Sequence, residues 1–260
     1  MNKQKLDECL QLATESAIKT GRFLSNYSRY NIPIHIQNSR EIKIPADLEA
    51  EAIILNLFRG KTDFAILSEE QGFKEGAIPD NKLRWIIDPL DGSFNFYRGI
   101  PNCCVSIGLY DGNSPILGVI YDFNRHELFT GIARVGAWLN GNQIKVSKTN
   151  DTQKAILFTG FPVNTDFSNN ALRGYISQAQ NFMKIRMIGS AALSLAYVAA
   201  GKGDVYLERG IMMWDVAAGL AILSGAGGKY VMNKTHKRNM RDVYATNKLL
   251  IKGKDSNETT

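Results

Sequence analysis

Two aspartates lie three residues apart within residues 85–93, which read Trp-Ile-Ile-Asp-Pro-Leu-Asp-Gly-Ser. The apolar start predicts a buried strand that ends at Asp88 and Asp91. Two carboxylates that converge at a strand end repel each other, and a hard divalent cation with oxygen ligands compensates that repulsion. Gly92 and Ser93 then present backbone N–H groups where a helix can begin, a geometry that suits phosphate oxygens. The segment therefore predicts a combined metal and phosphate site.

Two further acidic elements follow the same pattern. Glu69 and Glu70 follow the apolar residues 64–67 after a single serine, Ser68, and Asp215 follows Trp214 at the start of an apolar run. Each element alone also fits an ordinary role, because a Glu pair can form a solvated turn and an aspartate can cap a helix. Their occurrence together is what indicates a metal site.

The order of these segments resembles the inositol monophosphatase family of lithium-sensitive phosphatases. Residues 85–93 match its motif W-[IV]-[IV]-D-P-[IL]-D-G-[ST], and residues 214–222 match W-D-x-A-A-G-x-x-[IL], with Gly227 and Gly228 after it. Further similar segments are residues 118–122, 136–141 and 189–192. The resemblance covers about residues 40 to 230 and implies an α/β fold, the layered αβαβα sandwich that this family shares with fructose-1,6-bisphosphatase.

The resemblance also implies a cofactor, two or three Mg²⁺ ions. The implied metal ligands are Glu69, Asp88, Asp91, Asp215 and the backbone carbonyl of Leu90. Glu70 would support these ligands without joining them. The implied catalytic residues are Glu69, Asp88 and Ser93, with a water activated by Mg²⁺ and oriented by Glu69 and the Ser93 hydroxyl attacking phosphorus in line.

A second set of residues is implied to contact the substrate. Its members are Asp91, Gly92, Ser93, Gly189, Ser190, Ala191, Glu208 and Asp215. Glu208 precedes Trp214 by six residues, the place of the family's polyol-binding glutamate, and a carboxylate facing vicinal hydroxyls suits a sugar or cyclitol. The alternative for Glu208 is a surface ion pair with its neighbour Arg209.

One segment departs from the family pattern. Many members carry D-x-V-T-x-x-D where this chain has residues 41–47, Glu-Ile-Lys-Ile-Pro-Ala-Asp. Asp47 is retained, but Glu41 replaces an aspartate and Ile44 replaces the threonine. Because this loop supports a weak third metal in relatives, we expect an altered metal count and weaker inhibition by lithium than in the most sensitive members.

Three functions remain open at this level. The first is Mg²⁺-dependent hydrolysis of inositol monophosphate or a related sugar phosphate. The second is activity as a 3′(2′),5′-bisphosphate nucleotidase or a fructose-1,6-bisphosphatase, which would use the same carboxylates. The third is a noncatalytic role in binding RNA or a protein through the basic residues 229–254. The converging acids argue against the third, and no aromatic interleaving accompanies the basic residues, so nucleic acid is not the expected partner.

The elements that must position these residues follow from hydrophobic periodicity. Helices are predicted over residues 3–27, from Pro45 to Gly60, and over residues 191–200 and 216–223. The predicted strands are residues 64–67, 85–87, 103–109, 118–123, 156–159, 186–188 and 205–207. We expect an N-terminal α+β lobe at 1–150 with most metal ligands, a C-terminal α/β lobe at 151–252 with Asp215 and the substrate contacts, and a disordered tail at 253–260.

Composition indicates a soluble globular protein, with 44% hydrophobic and 22% charged residues and a formal net charge of +6. The three cysteines, Cys9, Cys103 and Cys104, form no CxxC pair, and we expect buried thiols in a reducing compartment. No apolar segment reaches the length of a membrane span. A cytoplasmic homodimer that acts on a small phosphorylated metabolite is the expectation.

Overall fold

The computed structural model describes residues 1–28, 33–38, 41–71, 83–163, 165–235 and 239–250. Its helices are α1 (Lys3–Ser25), α2 (Pro45–Phe58), α3 (Ser93–Tyr97), α4 (Asn169–Ala179), α5 (Ala191–Ala199) and α6 (Met213–Gly225). Its strands are β1 (His35–Asn38), β2 (Glu41–Lys43), β3 (Ala65–Ser68), β4 (Leu83–Asp91), β5 (Cys104–Asp111), β6 (Ser114–Asp122), β7 (Glu127–Ile132), β8 (Gly136–Leu139), β9 (Asn142–Gln143), β10 (Ile156–Thr159), β11 (Lys184–Arg186), β12 (Val205–Met212), β13 (Lys229–Lys234) and β14 (Met240–Thr246). None of these helices combines the length and apolar character that a membrane span requires.

Two sheets form the frame. The larger has the order β3-β4-β5-β6-β7-β8-β9, with β3 parallel to β4 and the other pairs antiparallel. The smaller has the order β11-β10-β12-β14-β13, in which β10 runs parallel to both β11 and β12. Strands β1 and β2 form a separate antiparallel pair that leads into α2.

Helices and sheets alternate in five layers. Helices α1 and α2 pack on one face of the seven-stranded sheet, where Trp85 and Ile87 of β4 join their apolar cluster. Ile86 lies between these two residues and joins the cluster on the opposite face, where α5 and α6 fill the space between the sheets. Helix α4 covers the far side of the smaller sheet with Ala179 and Tyr175. This confirms the predicted αβαβα order.

Three aligned glycines let α6 approach the larger sheet closely. Gly108, Gly118 and Gly131 are cross-strand partners on β5, β6 and β7. A Cβ at Gly118 would lie 2.2 Å from the backbone oxygen of Ala218 in α6, far inside contact distance. The row of missing side chains therefore forms the groove in which α6 lies.

The predicted elements correspond to observed ones with shifted ends, and one prediction needs correction. The strand predicted to end before Asp88 continues through Asp91 as β4. The sequence did not predict α4 or the strands β1, β2, β7, β8, β9, β13 and β14. Cys9, Cys103 and Cys104 are buried thiols, as predicted. The predicted tail, residues 253–260, lies outside the described residues, and the division into lobes near residue 150 stays a prediction.

Candidate metal and phosphate site

Three carboxylates from three elements meet at one edge of the larger sheet. Glu69, Asp88 and Asp215 each place an oxygen within 4.8 Å of the others. The parallel pairing of β3 with β4 sets Glu69 beside Asp88, because the Glu69 N–H donates to the carbonyl of Ile87 at 3.2 Å. Helix α6 contributes Asp215 from its first turn, where the carboxylate accepts the N–H of Met212 at 3.3 Å.

A β-bulge explains how β4 carries two functional aspartates. Asp88 is opposite Ser106 and Asp91 is opposite Cys104, so three steps on β4 match two on β5. The Leu90 N–H donates to Oδ1 of Asp88 at 3.0 Å, which holds the bulged backbone against that carboxylate. The strand therefore continues through both aspartates with a bulge between them, whereas the sequence suggested that it ended there.

Asp91 faces the start of α5. Its Oδ2 accepts the N–H of Ala192 at 2.8 Å and a short hydrogen bond from the Ser190 hydroxyl. The positive end of the helix dipole favours a carboxylate in this position. Burial raises the pKa of Asp91 to about 6, while the hydrogen bonds from Ser190 and α5 oppose the rise. Asp91 is therefore fixed next to Asp88 and lies outside the group formed by Asp88, Glu69 and Asp215.

The chemistry of this donor set fits Mg²⁺. Burial and mutual repulsion raise the pKa of Asp88 and Asp215 well above the usual range of aspartate, and burial raises the pKa of Glu69 to about 7. A bound divalent cation would remove this repulsion and keep the carboxylates ionised. Closely spaced carboxylate oxygens are the ligands that Mg²⁺ prefers.

The turn after Asp91 passes through a left-handed glycine. Gly92 has φ of +88°, and a Cβ there would lie 2.7 Å from the backbone oxygen of Asn102. Only glycine fits this backbone without strain. Ser93 begins α3, and its hydroxyl lies 2.7 Å from Oδ1 of Asp47 and 2.9 Å from the carbonyl of Leu90. The turn is thereby tied to the start of α2.

Asp47 has a role that the sequence did not reveal. Its Oδ2 accepts the N–H of Ile44 at 2.9 Å, which caps α2, while Oδ1 accepts from Ser93. Burial raises the pKa of Asp47 to about 6. Its retention in the otherwise altered 41–47 segment was the one signal that could have identified it.

The predicted substrate residues 189–191 lie at the N-terminus of α5, held by a side chain that sequence reasoning missed. The Asn95 side-chain N–H₂ lies 2.8 Å from the carbonyl of Ile188, 3.2 Å from that of Gly189 and 2.8 Å from that of Asn102. Asn95 follows Ser93 in α3. It therefore joins the Gly92 turn to the segment that carries Ser190.

Glu208 is buried, which does not fit a surface pair with Arg209. Its side chain on β12 is 8% exposed, whereas Arg209 is exposed. Successive residues of a strand point to opposite faces, so the two side chains diverge. A Cβ at Gly160 would lie 2.8 Å from Oε1 of Glu208. Burial raises the pKa of Glu208 to about 8, and the charge of Asp91 adds to the rise.

Lys43 also reaches the site, and the sequence analysis did not include it. Its ammonium forms a short hydrogen bond with Oε1 of Glu70 and lies 3.6 Å from Oε1 of Glu69. The neighbouring Ile44 is 1% exposed and packs in the core beside α1 and α2. The isoleucine that replaces the threonine of relatives is therefore part of the hydrophobic core.

Comparison with known proteins agrees with this geometry. The model of the inositol monophosphatase family matches residues 5–259. The chain is 40% identical to the inositol-1-monophosphatase of Synechocystis over 230 residues, 86% of this chain and 78% of that protein. It is 36% identical to the Nus factor SuhB of Xylella fastidiosa over 223 residues, 84% of this chain and 80% of that protein. The solved inositol monophosphatase of Anabaena superposes with a TM-score of 0.79 at 38% identity, covering 94% of this chain and 92% of that chain. The chain belongs to the inositol monophosphatase family of phosphoric monoester hydrolases.

Proposed function

We propose that this protein uses Mg²⁺ to hydrolyse inositol monophosphate or a related sugar phosphate. The observation that carries the proposal is the convergence of Glu69, Asp88 and Asp215 within 4.8 Å, next to the turn formed by Gly92 and Ser93. Among the described residues, Lys43 is the only positively charged side chain that forms an ion pair with this group of carboxylates. A divalent cation and a phosphate together complete the site.

The metal ligands in this proposal are the side chains of Glu69, Asp88, Asp91 and Asp215 and the carbonyl of Leu90. When bound, Mg²⁺ lowers the pKa of water, offsets the negative charge of the phosphate ester and stabilises the leaving oxygen. The N–H groups of Gly92 and Ser93 bind phosphate oxygens.

Ser93 and Asp47 act as a pair in this scheme. The Ser93 hydroxyl donates a hydrogen bond to Oδ1 of Asp47, with 2.7 Å between the two oxygens. The lone pairs of the hydroxyl oxygen can therefore accept a hydrogen bond from the attacking water. Glu69 accepts the other proton of the same water. The chain thus orients a water molecule between two acceptors, with Asp47 fixing the rotamer of the first.

The leaving group faces Glu208 and the start of α5. A buried carboxylate without an ion-pair partner among the described residues can accept hydrogen bonds from two neighbouring hydroxyls of a polyol. Phosphate release measured with inositol monophosphates, sugar phosphates, fructose 1,6-bisphosphate and adenosine 3′,5′-bisphosphate tests this assignment. Turnover restricted to the adenosine bisphosphate would replace it with the nucleotidase alternative.

We predict that at about pH 9, above the raised pKa of about 8 at which Glu208 ionises, Glu208→Gln raises KM for the preferred polyol phosphate by about tenfold, the effect of losing one charged hydrogen bond. Hydrolysis of p-nitrophenyl phosphate should stay nearly unchanged, because that substrate has no hydroxyls to bind. Initial rates with both substrates measure the difference. Equal losses on both would assign Glu208 to the chemical step or to folding.

Lithium should inhibit, but weakly. The carboxylates Asp88, Asp91 and Asp215 that relatives use at the lithium position are all present, whereas Ile44 supplies no hydroxyl to the altered loop. We expect inhibition that excess substrate does not relieve and that Ile44→Thr strengthens. Since Ile44 is buried, the variant needs a parallel urea titration to show that it is folded. Identical lithium curves for the folded variant and the parent would contradict this role of the loop.

A homodimer and a reducing, cytoplasmic setting complete the proposal. Edge strand β11 and its flanks leave Met183, Ile185 and Met187 at 59%, 38% and 50% exposure, an apolar strip that a second copy can cover. Sedimentation of the parent and of Ile185→Lys tests this pairing.

Relatives named Nus factor SuhB raise a second candidate, binding without catalysis. The complete carboxylate group favours catalysis, because a binding surface alone gains nothing from buried, mutually repelling acids.

A further inference from the structure

Lys43 lies between two glutamates at the rim of the metal site. Its ammonium contacts Oε1 of Glu70 directly and lies 3.6 Å from Oε1 of Glu69. The side chains of Lys43 and Glu69 are each 22% exposed, and that of Glu70 is 4% exposed. These groups are largely shielded from water, so the contact is stronger than an exposed ion pair.

The local charge balance depends on this lysine. Six carboxylates surround Lys43 and the metal position, those of Glu69, Glu70, Asp88, Asp91 and Asp215 and that of Asp47, which also attracts Lys43. Lys43 and two Mg²⁺ ions together offset five of these six negative charges, and the carboxylate of Asp47 is further stabilised by hydrogen bonds from Ser93 and Ile44. A third ion beside Glu70 would add two positive charges next to an ammonium, and such like charges repel strongly in a partly buried site.

We propose that Lys43 is a built-in cation that occupies the coordinating capacity of Glu70 and limits this site to two Mg²⁺ ions. The inference rests on the proposed Mg²⁺ site and adds a reason for its metal count. Lys43 lies at the end of β2, directly before the residue that begins the α2 cap, so its backbone is held by Ile44 and Asp47. The lysine therefore acts as a positioning and charge-setting residue and does not touch substrate.

Equilibrium dialysis and isothermal titration calorimetry with Mg²⁺ alone test the proposal. We expect two ions in the parent protein and three in Lys43→Met, which keeps the unbranched shape and most of the length of the side chain and removes the charge. The ion held by Glu69 should also bind about tenfold more tightly in Lys43→Met, because a neighbouring positive charge is gone. Lys43→Arg, which keeps the charge, should bind two.

A second variant, Glu70→Gln, tests the proposal even if Lys43→Met does not fold. If Lys43 and not a metal compensates Glu70, Glu70→Gln leaves the count at two, and Lys43→Met/Glu70→Gln also binds two. Three ions in the parent, or loss of one ion in Glu70→Gln, would overturn the inference while leaving the Mg²⁺ site intact. A parent protein that binds no Mg²⁺ would overturn the proposed function together with this inference. Unchanged count and affinity in a folded Lys43→Met would overturn the inference alone.

Discussion

Asp88→Asn is expected to lower kcat by at least about a thousandfold at saturating Mg²⁺, the scale of losing a central metal ligand. Asp88 is 1% exposed and belongs to the group of three carboxylates that meet within 4.8 Å. The amide replaces an anionic ligand with a neutral one at the point where the charge of Glu69 and Asp215 also converges. Initial rates of phosphate release across a Mg²⁺ titration measure the loss, and EDTA should abolish turnover by the parent.

The same variant should remain folded, and its stability should depend less on pH. In EDTA, Asp88 and Asp215 have pKa values raised well above the usual aspartate range, and that of Glu69 is raised to about 7. The native state then binds more protons than the unfolded chain, so metal-free stability falls as pH rises above about 4 and through the raised pKa values, that of Glu69 being about 7. Asp88→Asn removes one of these groups and should flatten the fall.

Asp111→Asn provides the matched control, since it makes the same chemical change at an exposed position on the neighbouring strand β5. Urea unfolding in EDTA at pH 5 and pH 8 compares parent, variant and control. Substantial turnover in EDTA, or an Asp88→Asn enzyme within tenfold of the parent, would refute the metal-centred site.

The motif around β4 shows how much of the site could be predicted from sequence. An apolar run followed by Asp88 and Asp91 correctly indicated a buried strand at the two aspartates, although the strand continues through both of them. The bulge between them was not predictable, because it depends on the register with Ser106 and Cys104 of a strand that comes later in the chain. Local pattern thus identified the residues, and tertiary pairing determined which way each one points.

Contacts between distant segments were the harder part of the site. Ser93 and Asp47 are 46 residues apart, and Lys43 reaches Glu70 from a strand of three residues. A three-residue strand has no measurable periodicity, and nothing in the type of a lysine indicates an inward direction. Glu208 was identified only through the family resemblance, since its local sequence resembles an ordinary surface strand.

Most of the missed elements are strands of the two sheets, and only α4 lies in an outer layer. Helix α4 fully buries only Ala179 and has no long apolar run, although its few apolar residues are spaced as in an amphipathic helix. Its start does carry a signal, because Ser168 caps the helix by accepting the N–H of Ala171 at 3.3 Å. Buried elements such as β4 and α6 were predicted because two-sided burial produces long apolar runs that surface layers lack.

Gly118→Ala should destabilise the protein by about 3 kcal/mol or more, the upper range for overpacking a core. The added Cβ would lie 2.2 Å from the backbone oxygen of Ala218 and 2.8 Å from its Cα. Neither atom belongs to a flexible side chain, so α6 must move away from β6. Gly118 is flanked by Gly108 and Gly131 in the same row, and a shift of the helix also opens those contacts.

The displacement should extend to the metal site, because Asp215 lies in the first turn of the helix that moves. We therefore expect Gly118→Ala, where it folds, to bind Mg²⁺ at least about tenfold more weakly. A loss of about 1.4 kcal/mol of binding free energy through the displacement of Asp215 corresponds to that factor. Urea unfolding and Mg²⁺ calorimetry measure the two effects. Gly174→Ala is the control: this glycine lies within α4 with no atom within 4 Å of an added Cβ, so alanine should stabilise the protein by about 0.5–1 kcal/mol and leave Mg²⁺ binding unchanged. If Gly118→Ala matched the stability and Mg²⁺ affinity of the parent, the glycine row would not be what seats α6 and positions Asp215.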